Sequence, residues 1–446
     1  MKKSISICCF IFITTVLLSG CVPKMPDDIS AGSNIADTGF ISVNDLKKSL
    51  PDIVYNSVDD NFFAFWAAAP GDDSTSTDNY ILGRKISSAG IIEGDTIIIH
   101  SGPAVTIMPK ALHIPHMNQF ILIYGSQEGR MNIHGRILNA DGKPVGLPFR
   151  VTDVPANQFH YTFAYNSNRH EFFVTYNDSR NGAGDIFGVI LNEDGTIAIP
   201  EFVINNSTGH QVNPVVSYNS TDDNYLLNWE DFRVHGDIPV LQTLEVMTNI
   251  RGALFDWDGS MLLNDIPMCV DHLTVDADQR FNNISYNPNT NQYLVSWSES
   301  GSSLLNAGIV GRIVNADGLM PAEAFVLVDE AGAQMIGHTD YLAEHNKYYI
   351  AFEKDDNDLD LFYFKDITAN LDIGARWLGS DGLPEGSMID IFSGSENQRF
   401  VRFAHSTASD TLLLIWQNDF PGQSDDWFGH IMTAGGDIAG ALITIP

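Results

Sequence analysis

The densest group of side chains with chemical potential is an acidic run in the second half of the chain. Residues 353–360 read Glu-Lys-Asp-Asp-Asn-Asp-Leu-Asp. Closely spaced carboxylate and amide oxygens suit Ca²⁺, which typically takes about six to eight oxygen ligands. The run lacks the glycine and the distant glutamate of a helix-loop-helix calcium loop. The candidate calcium ligands are therefore Asp355, Asp356, Asp358 and Asp360, and the alternative is a solvated loop in an acidic protein.

Other catalytic patterns are weak or missing. The chain has 13 histidines, but they form no HExxH motif and have no cysteine partners. His113 and His116 would face opposite sides of a strand, so they make a poor zinc pair. No G-x-S-x-G elbow and no Walker-type loop occurs. Acidic residues are too abundant for any one pair to indicate glycoside hydrolysis. The sequence therefore predicts no cofactor and identifies no catalytic residue.

Two Asp-x-Arg triplets recur at matching places in the chain. Asp178 and Arg180 follow an aromatic strand end, and Asp231 and Arg233 follow another. Each triplet is followed by Gly-Asp-Ile, at 184–186 and at 236–238. An active site is usually built once, so repetition favours a structural role. We expect an Asp–Arg clasp within each loop.

These residues belong to an internal repeat with seven copies. Each copy carries a glycine that is followed seven residues later, or eight in the sixth copy, by a second glycine. The first glycines are Gly83, Gly135, Gly188, Gly252, Gly311, Gly374 and Gly429. The second glycines are Gly90, Gly142, Gly195, Gly259, Gly318, Gly382 and Gly436. A fixed period of this length is typical of repeat architectures such as propellers.

Each copy contains four short apolar phrases rich in β-branched and aromatic residues, which predict strands. Asn, Asp, Gly and Ser separate the phrases and favour tight turns. An aromatic residue closes the second phrase of each copy: Trp66, Tyr124, Tyr176, Trp229, Trp297, Phe352 and Trp416. Four strands per copy and seven copies predict an all-β fold, a seven-bladed β-propeller of four-stranded antiparallel blades over residues 50–446.

The first twenty residues have the features of an export signal. Lys2 and Lys3 precede an apolar stretch that is too short for a comfortable membrane span. The stretch ends in Leu18-Ser19-Gly20-Cys21, which resembles the lipobox of bacterial lipoproteins. The resemblance implies cleavage of residues 1–20, acylation of Cys21 and attachment to a membrane through that lipid. An ordinary secretory signal is the alternative.

The residues after the lipobox indicate where the protein would be held. Val22 follows Cys21 where an aspartate would signal retention in the inner membrane, so the resemblance favours the outer membrane if the organism has one. Residues 21–49 are largely polar and predict a lipidated, flexible tether. Once Cys8, Cys9 and Cys21 are assigned to signal and lipid, Cys269 is alone and no intramolecular disulfide is available. Its apolar neighbours predict a buried, inert thiol.

Charge and loop pattern narrow the choice of partner. The formal net charge of −32 makes nucleic acid and anionic headgroups poor partners and leaves cationic partners and divalent metals open. In a four-stranded blade, the first and third turns open on one face and the second connections on the other. The second connections vary in length and together hold 18 acidic against four basic residues. Variable loops on a regular scaffold predict that this face carries function.

The repeat as a whole resembles a class of uncharacterised bacterial exported proteins with YLVxW and DIxGxxLxxDG phrases, here at 293–297 and 185–195. That resemblance implies the fold and no activity. We expect a monomeric, non-enzymatic binding or scaffold lipoprotein that engages a protein or glycan through its variable loops. The alternatives are an envelope assembly factor, similar to the propeller lipoprotein of the outer-membrane barrel-insertion machinery, and a carbohydrate-active enzyme that uses acidic residues in the central funnel.

Overall fold

The computed structural model describes residues 46–70, 77–182, 184–233, 248–269, 278–300, 308–330, 332–355, 371–419, 426–433 and 435–445. The regular elements of these residues are 28 β-strands. The predicted signal peptide, the lipidated Cys21 and most of the predicted tether lie outside the described residues. Within the described ranges, no helix has the length and apolar character needed to cross a membrane.

The strands follow one another in groups of four. They are β1 Leu46–Asn56, β2 Asn61–Pro70, β3 Asn79–Ser87, β4 Ile92–Gly102, β5 Val105–Ile114, β6 Gln119–Glu128, β7 Arg130–Leu138, β8 Pro144–Arg150, β9 Gln158–Asn166, β10 Glu171–Asp178, β11 Asp185–Asn192, β12 Ile197–Asn205, β13 Gln211–Asn219, β14 Asn224–Asp231, β15 Asn249–Asp256, β16 Met261–Pro267, β17 Asp278–Asn287, β18 Gln292–Ser300, β19 Gly308–Asn315, β20 Phe325–Val328, β21 Ala333–Leu342, β22 Lys347–Asp355, β23 Asp372–Leu378, β24 Pro384–Phe392, β25 Asn397–Ser406, β26 Thr411–Asp419, β27 Asp426–Thr433 and β28 Ile443–Ile445.

Each group of four consecutive strands forms one antiparallel sheet, so β1–β4 are blade 1 and β25–β28 are blade 7. The first strand of each blade is innermost, first strands lie side by side at six of the seven junctions between blades, and β1 contacts β25 to close the ring. Between blades 2 and 3, the Tyr161 hydroxyl of β9 donates to the Ile107 carbonyl of β5 at 2.8 Å. The prediction of a seven-bladed propeller is confirmed. β1 begins at Leu46 because Leu46 pairs with Pro70 of β2, so the strand includes four residues that the sequence analysis assigned to the tether.

The blades are held together by apolar layers, and the aromatic residues that mark the repeat lie in these layers. All seven are at most 1% exposed. Each packs between its own blade and the preceding one; Trp66, for example, shares a cluster with Ile415 and Trp427 of blade 7. Fully burying such side chains is the main source of stability in the described ranges, which contain no disulfide. The single described cysteine, Cys269, is buried as predicted, and burial raises the pKa of its thiol to about 12.

The repeating glycines have two different roles. The second glycine of every copy has a positive φ, between 74° and 91°, which the tight third turn requires. The first glycine lies opposite the residue before the repeat aromatic, as in the pairs Gly311↔Ser296 and Gly135↔Ile123. A Cβ on Gly135 would come within 2.2 Å of the ring of Phe149, so this position has little room for a side chain.

Blade 6 departs from the predicted register by one residue. Gly374 pairs with Phe352 itself, and Ala375 pairs with the preceding Ala351. Ala375 therefore occupies the position of the first glycine in blade 6, and the assignment of Gly374 to that position was wrong. The eight-residue spacing from Gly374 to Gly382 follows directly, because the equivalent residue is one place later.

Candidate functional site

Every first strand has a bulge at the same place, on the inner surface of the ring. The pairing with the second strand shifts, for example, between Ser49 and Asp52 in blade 1 and between Ile107 and Lys110 in blade 2. In six blades the bulge contains a non-glycine residue with φ between 44° and 58°: Leu50, Met108, His160, Asn213, Phe281 and Phe400. Such backbone costs on the order of 1–3 kcal/mol each and is concentrated at functional sites. Bulges also re-aim the side chains that follow them.

The residue that resumes pairing after each bulge points into a central cavity of about 780 Å³. We call these seven equivalent residues the channel ring. In blade order they are Asp52, Lys110, Thr162, Val215, Asn283, His338 and Arg402. All seven line the cavity. No two are of the same type, although they occupy one position of the repeat.

The ionisable members of the channel ring are contributed by neighbouring blades, because blades 6, 7, 1 and 2 are consecutive around the closed ring. Lys110 Nζ lies 3.6 Å from Asp52 Oδ1, and Asp52 Oδ2 accepts a 2.8 Å hydrogen bond from the Ala111 N–H. Arg402 Nη1 donates to the carbonyls of Val401, at 3.0 Å, and of Gly337. Arg402 forms no ion pair in the described part of the chain. The charged side of the channel ring therefore has two cations and one carboxylate.

Burial lowers the pKa of Lys110 and of Arg402. Asp52 opposes both shifts, and Glu353 also opposes that of Arg402. Burial and the nearby charges of Arg402 and Lys110 lower the pKa of His338 to about 3. Burial likewise lowers the pKa of His160 to about 4. Both imidazoles are neutral at pH 7, so the fixed positive charge of the channel comes from Lys110 and Arg402.

One carboxyl group of the cavity is protonated more easily than usual. Asp340 is exposed to the cavity, and its Oδ1 accepts a 3.1 Å hydrogen bond from the Ser285 hydroxyl. The surrounding protein desolvates the side chain and raises its pKa, while hydrogen bonds from Tyr341 and Ser285 act in the opposite direction. A carboxyl group with a raised pKa can hold and donate a proton closer to neutral pH.

Where the first strands end and turn into the second, another ring of equivalent residues joins the blades. In each first hairpin, a tyrosine or histidine side chain contacts a turn residue five positions later, and that turn residue has a positive φ. The polar atoms of each pair are 2.6–3.3 Å apart. We call these pairs the belt: Tyr55–Asp60, His113–Asn118, Tyr165–His170, Tyr218–Asp223, Tyr286–Asn291, Tyr341–Asn346 and His405–Asp410.

Further hydrogen bonds connect the belt from blade to blade. Asn219 Oδ1 accepts the N–H groups of Thr221 and Asp222, at 2.8 and 2.9 Å, and its Nδ2 donates to Asn291 of the next blade at 2.9 Å. The Ser406 hydroxyl donates to Asp60 Oδ1 at 2.6 Å and so links blade 7 to blade 1. The belt therefore has a structural role in closing the ring.

The predicted calcium run is only partly described. Glu353, Lys354 and Asp355 lie in β22 rather than in the loop that the sequence analysis assigned to them, because β22 and β23 pair as far as Lys354↔Asp372. Asp355 is fully buried, and Glu353 Oε1 accepts the Phe400 N–H at 2.6 Å. Asp356, Asp358 and Asp360 lie outside the described residues. Calcium binding by this run stays a prediction.

The two Asp–Arg clasps are confirmed. Arg180 Nε and Nη2 donate to the two carboxylate oxygens of Asp178, at 2.8 and 3.0 Å. Arg233 bonds Asp231 in the same way, at 2.9 and 2.8 Å. Both arginines also reach a carboxylate of the outermost strand of their blade, and that partner in blade 3 is Glu201. The clasps thus tie the second connection to the edge of the blade.

Sequence reasoning missed the channel ring. A signal was present in blades 1 and 2, where Pro51-Asp52 and Pro109-Lys110 place a charged residue after a proline within a largely apolar strand. Proline in a strand indicates an edge or a bulge, so these residues could have been identified as inward-facing.

No protein-family model matches the chain, and no curated protein matches it. Solved structures are similar at low identity. A protein of unknown function from Dyadobacter fermentans has a TM-score of 0.50 and 9% identity, over 87% of this chain and 95% of that chain. The β-propeller domain of the Trilobed protease from Pyrococcus furiosus has a TM-score of 0.49 and 9% identity, over 88% of this chain and 96% of that chain. Prolyl oligopeptidase B from Galerina marginata has a TM-score of 0.49 and 10% identity, and the match covers 90% of this chain and 52% of that chain. At such identities the likeness extends to the fold alone.

Proposed function

We propose that this chain is an exported, lipid-anchored propeller that binds a protein or glycan partner at its central channel and does not transform it chemically. The observation that supports this proposal is the charged side of the channel ring, where Lys110 and Arg402 face one cavity. The partner presents an acidic group to these two side chains, and the variable loops around the channel contact the rest of it.

One side of the channel ring favours an acidic group, because Lys110 and Arg402 face Asp52 there, whereas Asp340, Glu344 and Glu353 line other parts of the cavity. The chain carries a net charge of −32, so its outer surface repels anions. Arg402 forms no ion pair among the described residues, Asp52 and Glu353 act on its charge from a greater distance, and its guanidinium can bind a carboxylate in a bidentate manner. Attraction is stronger in a partly enclosed cavity than in bulk water, because the effective dielectric constant is lower.

The remainder of the channel ring suits the uncharged part of a partner. Thr162 and Asn283 offer a hydroxyl and an amide, and Val215 offers an apolar surface. The strained bulges hold these side chains in place before binding, so less conformational entropy is lost when a partner arrives.

Binding measurements on the full-length chain in mild detergent test the proposal. We expect calorimetric titration to detect oligosaccharides or peptides that carry carboxylates and not their neutral counterparts. Arg402→Gln should weaken that binding by about tenfold or more, because a charge-assisted hydrogen bond contributes on the order of 1.5–3 kcal/mol. Lys85→Gln, which makes the same charge change in β3 beside Glu93, is the matched control. Equal binding of neutral compounds, or unchanged binding by the Arg402 variant, would refute the proposal.

The membrane anchor has its own test. In this proposal, the lipid on Cys21 holds the propeller to the outer membrane in an organism that has one. Cys21→Ser should abolish metabolic labelling with a palmitate analogue and release the protein from the membrane fraction. Labelling and membrane association that persist in the variant would contradict the anchor and leave the channel proposal to be judged separately.

A carbohydrate-active enzyme is a second candidate, and the raised pKa of Asp340 favours it. A carboxyl group that lines a cavity and has a raised pKa is suited to the role of general acid in glycoside hydrolysis. If the protein is such an enzyme, it should release reducing ends from acidic polysaccharides, and Asp340→Asn should lower that rate at least about a hundredfold. An unchanged rate in this variant would exclude Asp340 as the acid.

A further inference from the structure

The belt changes its chemistry in blade 7. Five blades pair a tyrosine with the turn residue, whereas blade 7 pairs His405 with Asp410. A second histidine, His345 from the first hairpin of blade 6, reaches the same carboxylate. Two imidazoles and a carboxylate therefore meet at the contact between two blades, on the face opposite the variable loops.

We propose that His345, His405 and Asp410 form a Zn²⁺ site. Their ligand atoms all lie within 4.8 Å of one another. His345 Nε2 is 2.6 Å and His405 Nε2 is 3.2 Å from Asp410 Oδ1. Tetrahedral zinc with bonds of about 2.0–2.1 Å separates its ligand atoms by about 3.4 Å, so small side-chain rotations suffice to admit the ion.

A neighbouring carboxylate is placed to orient one ligand. Glu344 Oε2 lies 3.7 Å from His405 Nδ1, the ring nitrogen that does not face Asp410. In metal sites a carboxylate commonly accepts the second N–H of a ligating histidine, which fixes the tautomer and the ring orientation. The His405 side chain is only 7% exposed, so its ring has little freedom to turn away.

The donor set selects the class of ion. Imidazole nitrogen with one carboxylate suits zinc, whereas Ca²⁺ and Mg²⁺ prefer oxygen ligands alone. Three protein ligands leave the fourth zinc position for water or an external group. Asp410 is 55% exposed, so that position faces solvent. The bound ion joins blade 6 to blade 7 and stabilises the ring at the belt.

A second cluster on the same face is a poorer site. It consists of His116, His170 and Glu193. Blade 3 retains its belt tyrosine, and Tyr165 already contacts His170 Nδ1 at 3.0 Å and Glu193 Oε1 at 2.6 Å. The histidine side chains are 47% and 53% exposed, so their rings are less restrained than that of His405.

The test compares the same substitution at two equivalent belt positions. His405→Tyr recreates the tyrosine–aspartate pair that Tyr218 and Asp223 form in blade 4, so this variant should fold while losing the ligand. His113→Tyr makes the same change in blade 2, where the turn residue is Asn118. Both full-length variants are stripped with a chelator and then titrated with Zn²⁺ while thermal unfolding and metal content are measured.

We expect Zn²⁺ to raise the unfolding temperature of the unmodified chain and of His113→Tyr by about 3 °C at a free concentration a hundred times the dissociation constant. His405→Tyr should lose this shift and one bound zinc per chain. Glu344→Gln should weaken zinc binding about tenfold without removing it. The proposal is overturned if His405→Tyr keeps the full shift, if His116→Ala alone removes it, or if Ca²⁺ produces the same shift.

Discussion

The channel ring, in the middle of the first strands, and the belt, at the hairpin end of these strands, each consist of seven equivalent positions, but they differ in how uniform their chemistry is. Most belt pairs join a tyrosine to an asparagine or aspartate with a positive φ. The channel ring has seven different residue types at one position of the repeat. A fold that needs one hydrogen bond per blade selects a similar pair, a tyrosine or histidine with a polar turn residue, in all seven blades. The fold does not require the particular side chain at a channel position, so that side chain is free to serve binding.

The comparison makes a prediction about stability: changes in the belt and in the apolar layers should destabilise the ring, whereas changes in the channel ring should not. A repeat alone does not distinguish these two kinds of position. Hydrogen bonding does, because each belt pair joins a side chain to the turn of its own hairpin and is extended to the next blade by side chains such as Asn219 and Ser406. Arg402 bonds only backbone carbonyls, one of them in blade 6.

The largest effect should come from the apolar layer that supports both rings. Trp297 is fully buried, and its indole N–H donates to Glu299 at 3.2 Å. Trp297→Ala should lower the free energy of unfolding by about 3–5 kcal/mol, because it leaves a cavity between blades 4 and 5. Thermal and denaturant unfolding measure this loss. Leu147→Ala, at a side chain that is 83% exposed, is the control and should change little. A Trp297 variant with unaltered unfolding would contradict the assigned packing.

The next effect should come from Asn219, which joins the belt from blade to blade. Asn219→Ala removes three hydrogen bonds at a fully buried amide, one of them to the next blade. We expect a loss of about 1–3 kcal/mol in denaturant unfolding, since buried partners are left unsatisfied. Val58→Ala, at an exposed side chain in the first hairpin of blade 1 on the same face, should cost less than about 0.5 kcal/mol. If both variants had equal stability, the belt would not close the ring as we describe.

The pH dependence of stability should depend on a histidine of the channel bulges. The folded pKa of His160, about 4, lies below the unfolded value of about 6.5, so the unfolded chain binds the proton first. The contribution of neutral His160 to the free energy of unfolding is fully present above about pH 6.5 and is lost as the pH falls toward 4. His160→Asn should flatten the stability curve in this window by up to about 1.4 kcal/mol per pH unit. Parallel curves for variant and parent, measured by denaturant unfolding, would show that folding does not lower the pKa of His160.

The smallest effect on stability should be at the channel ring itself. Arg402→Gln removes a cation that burial disfavours and that forms no described ion pair. Unfolding measurements should therefore give a change of less than about 1 kcal/mol in either direction. A loss comparable to that of Asn219→Ala would mean that Arg402 holds the blades together, and the contrast between the two rings would fail.

Local sequence patterns were sufficient to predict the architecture. The second glycines predicted tight turns that require positive φ, and the short aromatic phrases predicted the strands, because turn chemistry and strand preference depend on a few adjacent residues. The register of blade 6 was predicted wrongly because Gly374 and Ala375 are both small. Only the pairing with Ala351 and Phe352 distinguishes which one occupies the crowded position.

The candidate sites depended on the tertiary structure. The sequence shows Asp52 near one end of the propeller and Arg402 near the other, separated by five blades along the chain. They face one cavity because the ring closes between β1 and β25. The bulges that turn these side chains inward are mismatches between paired strands, and such mismatches have no local pattern. His345 and His405 likewise come from different blades and meet only at the belt. Strand formation is a local property of the sequence, whereas the meeting of distant side chains depends on how the strands pair and how the ring closes.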